Sequence, residues 1–200
     1  MEKFSARQIE IMEAATNRID EYGIQNLTIK NLAADVDLSE PALYRHFAGK
    51  NEILLSLMTY YTGEMRSRLS QIASDPNQPA DKELMSVFES QYRAFAKNPA
   101  IVSITFSESI FHFDERLSQK VADTMEFMHR FVCRNIIKGQ ETGLYNKEMD
   151  ASVLATIILG GTRLTIIKWK QSGHSTSLVK DGKKLTETFL TMIKNPTNEN

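Results

Sequence analysis

The sequence predicts an all-α protein of about nine helices, with an N-terminal three-helix unit of helix-turn-helix spacing followed by a larger helical region. Three observations lead there. Apolar residues recur at three and four along nearly the whole chain, which is the spacing of one helix face. Gly and Pro number only 9 and 5 in 200 residues, far below a collagenous or linker-like chain. No stretch alternates polar and apolar long enough to demand a strand, and no internal repeat is evident.

The first helix spans 5 to 22, with Ile9, Met12, Ala15, Ile19 and Tyr22 on one face and Gly23 as its stop. In the next segment Thr28 is an N-cap, and Ile29, Leu32, Ala33 and Val36 form a short apolar stripe over eight or nine residues. Ser39 caps a third helix, Pro41 sits just inside it where a missing N–H costs nothing, and Ala48-Gly49 ends it after Phe47. Helices of about 18, 8 and 7 residues joined by such short turns have helix-turn-helix spacing. A fourth helix starts at Lys50, carries Ile53, Leu54, Leu57, Met58, Tyr61 and Met65, and fades into a loop at 74 to 81.

The helical pattern then continues. Leu84, Val87, Phe88, Tyr92 and Phe95 define one helix, and Lys97-Asn98-Pro99 ends it; residues 100 to 113 suit another. The longest helix covers 115 to 138, with Leu117, Val121, Met125, Met128, Val132 and Ile136 on its face, and is weakened by Gly139 and Gly143. Met149 to Trp169 and Leu178 to Ile193 complete the count. Val153 to Ile167 is nearly uncharged, but at 15 residues with Arg163 inside it is expected to lie between packed helices rather than to span a membrane.

Charge and cysteine content narrow the function. Twenty-four Lys plus Arg against 25 Asp plus Glu exclude a globally basic protein, so a nucleic-acid partner must be held by a few placed residues. The one cysteine, Cys133, cannot form an intrachain disulfide, and no export signal is visible at the N-terminus, so a cytoplasmic location is expected. No Gly-rich phosphate cradle, HExxH or dinucleotide fingerprint is present, and no cofactor is expected. His112 with Asp114 and Glu115 reads as helix-end capping rather than a metal site, and Cys133 four residues after His129 reads as a core cysteine. The chain is therefore expected not to be an enzyme.

Thr28, Leu32, Ala33, Val36, Leu38, Ser39, Ala42, Leu43, Tyr44, Arg45, His46, Phe47, Lys50 and Leu54 together resemble the N-terminal signature of the TetR family of bacterial transcriptional regulators. The resemblance is specific over about 25 to 54, and length and helix count agree with it over the whole chain. Physically, Leu32, Ala33, Val36, Leu38, Leu43 and Phe47 form the seam between the two short helices. The third helix then fits end-first into a major groove about 12 Å wide.

The resemblance implies that Tyr44, His46 and Lys50 hold phosphates, with Thr28 and Lys30 making similar contacts, while the early residues of the third helix read bases. Ser39, Glu40, Pro41 and Ala42 are nearest the bases; Glu40 suits a cytosine amine, Pro41 and Ala42 a thymine methyl, and Arg45 either a guanine or a phosphate. Residues 1 to 50, the expected DNA-binding domain, hold six Lys or Arg against eight Asp or Glu, so these donors must share one face.

Residues 51 to 200 are then expected to be a helical regulatory and dimerisation domain, although the fourth helix leaves no visible boundary at 50. The resemblance implies a four-helix dimer interface near 149 to 170 and 180 to 193, where Gly160, Gly161, Leu164 and Phe189 are the candidate contacts. A candidate effector pocket is drawn from Tyr92, Phe106, Met125, Met128 and Trp169, with His129 as a polar anchor. The expectation is a homodimeric regulator, a repressor released from an inverted-repeat operator by a small apolar or aromatic effector. Its alternatives are a DNA-tethered helical interaction module without a small ligand, and a thiol enzyme using Cys133 and His129.

Overall fold

The computed structural model describes residues 4–106 and 114–195 and is all-α over them. Its helices are α1 (Ala6–Tyr22), α2 (Ile29–Asp35), α3 (Glu40–Tyr44), α4 (Lys50–Ile72), α5 (Ala80–Lys97), α6 (Pro99–Thr105), α7 (Glu115–Glu141), α8 (Ala151–Gln171) and α9 (Leu178–Ile193), with a short 3-10 turn at Ile24–Asn26. The only β pairing among the described residues is an isolated bridge between Tyr145 and Lys194. The tail of the helix expected over 100 to 113, with Phe111, His112 and Phe113, lies outside the described residues; its described part is α6.

Two compact units emerge, Met1–Met65 with Asn98–Thr124, and Arg66–Lys97 with Met125–Asn200. Neither edge falls at residue 50; α4 runs unbroken from Lys50 to Ile72 and the edge at 65 and 66 lies within it.

In the first unit, α1 starts at Ser5, whose hydroxyl accepts from the Gln8 N–H while the Gln8 side chain accepts from the Ser5 N–H, a capping box. It buries Ile11, Met12, Ala15, Thr16 and Ile19. Two of the residues expected on that face behave differently: Ile9 is half-buried, and Tyr22 is exposed with the Arg18 guanidinium over its ring. The helix axis has turned so that Ile11 takes the buried place. Gly23 then adopts φ +80°, where a side chain would be strained, and stops the helix.

The short helices follow their caps. Thr28 Oγ1 accepts from Asn31 N–H at 3.1 Å and Ser39 Oγ from Ala42 N–H at 3.3 Å. Asp37 sits at φ 52° in the turn between them, a conformation aspartate tolerates better than most side chains. The third helix has five residues rather than seven; Arg45 to Phe47 continue it only as a hydrogen-bonded turn, with the His46 and Phe47 N–H groups donating to the Leu43 carbonyl. Leu27, Leu32, Ala33, Val36, Leu43 and Phe47 are buried together with Ile53, Leu54 and Leu57 of α4. Burying each of the Leu, Val, Ile and Phe side chains contributes about 1.5–3 kcal/mol, enough together to hold two helices too short to stand alone.

The second unit packs α5, α8 and α9 around Leu84, Val87, Phe88, Ile158, Ile166 and Leu190. Gly182 of α9 lets the Tyr92 ring lie against the α9 backbone, since a Cβ there would fall 2.4 Å from the ring. The Tyr92 hydroxyl meets Thr162 Oγ1 at 3.0 Å. Gly139, expected to weaken α7, instead remains helical because Tyr145 packs onto its bare face.

Candidate nucleic-acid interface

The recognition-helix candidate stands open. Ser39, Glu40 and Pro41 are exposed, Ala42 is half-buried, and Leu43 beneath them is fully buried. Tyr44 is 51% exposed, Arg45 is exposed and His46 half-buried, while Phe47 closes the core below. The alternation follows from one helical turn resting on two apolar anchors, with the residues between them left to solvent.

Around this turn lie the candidate phosphate ligands. Thr28 and Lys30 are exposed at the start of α2, and the Thr28 oxygen is already occupied as a cap, which leaves its hydroxyl proton to donate. Lys50 is half-buried, and its Nζ donates to the Ile24 carbonyl at 2.8 Å. Burial pushes its ammonium below the ordinary lysine range, and an ammonium with one donor used retains two more.

The side chains that brace this surface escape sequence reasoning. Arg18 forms an ion pair with Asp35, through Nε to Oδ2 and through Nη2 to Oδ1 at 2.6 Å, and its Nη1 donates to Asn26 Oδ1 at 3.1 Å. The Arg18 hydrogen bond holds the Asp35 carboxyl below the usual carboxylate range. Asn31 Nδ2 donates to the Asn26 carbonyl and side chain at 3.1 and 3.0 Å. The Arg18–Asp35 pair spans 17 residues and has no local signature.

The open helix turn, its caps and its apolar seam coincide with the part of the chain that matches a family. Residues 11–57 match the family described as bacterial regulatory proteins, tetR family. The chain carries the TetR-family regulatory fold. It is a helical DNA-binding regulatory protein of that fold. The nucleoid occlusion factor SlmA of Photobacterium profundum is 26% identical over 174 residues, covering 85% of this chain and 87% of that one.

Among solved structures, the fatty acid degradation regulator FadR from Bacillus halodurans superposes with a TM-score of 0.82 at 18% identity, over 94% of this chain and 97% of that one. The ketosteroid transcriptional regulator KstR2 of Mycobacterium tuberculosis gives 0.81 at 20% identity, over 97% and 98%. At such identities these two likenesses speak for the fold.

The candidate effector residues lie on different helices. Tyr92 is fully buried, its hydroxyl engaged by Thr162. His129 Nε2 lies 3.1 Å from the Ser152 carbonyl and 3.2 Å from Thr156 Oγ1, near the start of α8. Trp169, near the end of α8, donates from Nε1 to the Thr176 carbonyl at 3.1 Å and packs on His174. Thirteen helical residues from Thr156 to Trp169 separate the two by about 20 Å. Met128 is buried, Met125 is largely exposed, and half-buried Phe106 belongs to the first unit.

Cys133 is half-buried with the His129 imidazole nitrogen turned to α8. Among the described residues no group of three His, Cys, Asp or Glu could hold a metal. A polar cleft of about 450 Å³ lies elsewhere, between α4 and α7, lined by Glu52, Ser56, Thr59, Arg116, Lys120 and Asp123 among others.

The candidate dimer residues divide. Leu164 is 59% exposed, Gly160 is exposed, and Val153 and Ile157 are each 56% exposed, so α8 presents an apolar stripe spaced 4, 3 and 4. Gly161 turns inward, where an added Cβ would meet Leu185 of α9 at 3.4 Å, and Phe189 is buried inside its own unit. α8 is long and apolar enough to cross a membrane by length and composition. Its other face buries Leu154, Ala155, Ile158, Thr162 and Ile166 where it packs on α9, and 28% of the apolar window is buried within the chain.

Proposed function

We propose that this protein is a homodimeric, sequence-specific transcriptional regulator, a repressor released from an inverted-repeat operator by a small apolar effector. The observation that carries the reading is the exposed leading turn of α3, Ser39 to Ala42, seated on buried Leu43 and Phe47. Residues 1 to 50 act as the reader and 51 to 200 as the regulatory and dimerisation region. Tyr44, His46, Lys50, Thr28 and Lys30 hold phosphates and position the reader, while Glu40, Pro41, Ala42 and Arg45 select bases. One such turn has little affinity. The uncovered stripe of Val153, Ile157, Gly160 and Leu164 supports pairing through α8, which sets two readers about 34–36 Å apart on successive major grooves.

An effector that favours a dimer geometry with the readers out of register lowers operator affinity, and the operator lowers effector affinity by the same factor. The names of the structural relatives, a fatty acid degradation regulator and a ketosteroid transcriptional regulator, support an apolar effector. The test is selection of binders from a random duplex pool, repeated with a C18 fatty acid, its coenzyme A thioester and a ketosteroid. An enriched inverted repeat released by one of them is the expected result.

A second reading is supported by the nucleoid occlusion factor named among the relatives: a DNA-tethered module that engages another protein without a small ligand. An enriched repeat that no apolar molecule releases favours it, whereas salt-sensitive binding with no enriched sequence rejects specific reading altogether.

A further inference from the structure

The recognition turn is too short to hold its own orientation. Five residues form barely one hydrogen-bonded turn, and the carbonyls at the ends of α2 and α3 are left without helical partners. Both ends are gripped from one place, the first turn of α1. Arg7 Nη2 donates to the carbonyl of Val36, the residue that ends α2, at 2.8 Å, while its Nη1 is steadied by Glu10 at 2.5 Å. Gln8 Nε2 donates to the carbonyl of His46, just past α3, at 3.2 Å. These bonds join residues 29 and 38 positions apart.

Gln8 does two things with one amide. Its Oε1 accepts from the Ser5 N–H at 3.0 Å and completes the cap of α1, while its Nε2 reaches across to α3. A glutamate serves the capping box equally well, but it has no proton for the His46 carbonyl. The amide is therefore needed for the bond to α3 and not for the cap.

We infer that Gln8 is a positioning residue for DNA recognition, its amide fixing the angle of α3 against the groove without touching DNA. This rests on α3 being the groove-entering helix. Base contacts fail when their side chains are misplaced by about half an ångström, whereas phosphate contacts made by long side chains tolerate more. Loss of the bond thus lowers affinity for the selected operator more than for scrambled DNA.

Two substitutions separate the roles. Gln8→Glu keeps the cap and removes the donor; Gln8→Lys keeps a donor within reach of His46 and removes the cap's acceptor. Full-length variants are compared by anisotropy on operator and scrambled duplexes, by thermal unfolding, and by amide exchange at His46 and Phe47. Gln8→Glu is expected to unfold near the wild-type temperature, to exchange faster at those two amides, and to reduce the operator-to-scrambled affinity ratio roughly three- to tenfold, the range for one lost hydrogen bond. Gln8→Lys is expected to lose thermal stability and keep the ratio.

An unchanged ratio in Gln8→Glu, or equal losses of ratio in both variants, overturns the inference. Should Gln8→Glu unfold, the ratio of Gln8→Lys decides: a fall there is equally fatal. A wild-type protein that shows no preference between the duplexes defeats the DNA reading itself, a result distinct from either.

Discussion

Tyr44, Glu40 and Lys50 sit within a few turns of each other in the chain, yet in the proposed function their chemistry suits them to different parts of the DNA. A phenol or an ammonium donates to a phosphate oxygen that every sequence offers, whereas an ionised carboxylate only accepts and must find a base amine. Tyr44→Phe keeps the ring and removes the donor, so affinity is expected to fall by a similar factor, about threefold to tenfold, on every duplex tested. Glu40→Gln is expected to change which bases are preferred. Titration of matched and mismatched duplexes checks both, and the opposite pattern means α3 enters the groove the other way round.

Buried residues make equally specific demands. A methyl on Gly182 collides with the Tyr92 ring at 2.4 Å, and that ring is held by Thr162, so Gly182→Ala should destabilise the protein by about 1–3 kcal/mol. Urea unfolding reads the change; an unaltered midpoint shows that the ring has room to move. Asp35 is one acid-sensitive group of the first unit, Asp114 beside Arg116 being another. The Asp35 carboxyl, held low by Arg18, contributes stability that is fully present above about pH 4 and is lost as the pH falls through the lowered value. Replacing it with asparagine should lower stability near neutrality and leave the two proteins converging as the pH falls through that lowered value. A gap that stays constant with pH assigns the effect to packing instead of charge.

At the scale of an element, α8 is apolar on two sides. Leu154, Ala155, Ile158 and Ile166 are buried within the chain, but Val153, Ile157 and Leu164 face solvent on the opposite side. The paired substitution Ile157→Asp with Leu164→Asp places two charges on that stripe. The expected result is a dimer at micromolar concentration for the wild type and a monomer for the variant, read by light scattering, with weakened operator binding. A variant that remains dimeric locates the interface elsewhere.

The same helix shows where sequence reading stops. Periodicity identifies α8 as a helix and its glycines as places of close approach, but Gly160 and Gly161 point in directions about 100° apart. Only one of them meets α9. The family resemblance makes Phe189 a candidate dimer contact, whereas it is buried in the chain's own core.

For the whole molecule, the two readers of the proposed dimer must find half-sites whose centres are a helical turn of DNA, or a multiple of it, apart. Selected duplexes should therefore show two copies of one short motif in inverted orientation at constant spacing. Enrichment of a single copy, or of copies at variable spacing, rejects the paired geometry. Effector binding belongs at this scale too, because the residues proposed for it from the sequence lie on α5, on α7, on α8 and just past α6.

What the amino acids determined unaided is local: which segments are helical, where caps and glycines bound them, and which short stretch reads as a helix-turn-helix. Those properties depend on neighbours three or four residues away, so they are written in the order of the chain. The tertiary structure alone decided which apolar face is covered and which is left open, that Tyr92 is locked in a core, and that Gln8 and Arg7 reach 38 and 29 residues ahead to hold the reading helices. Such contacts join residues brought together by packing, and packing is a property of the folded whole that no window of the sequence contains.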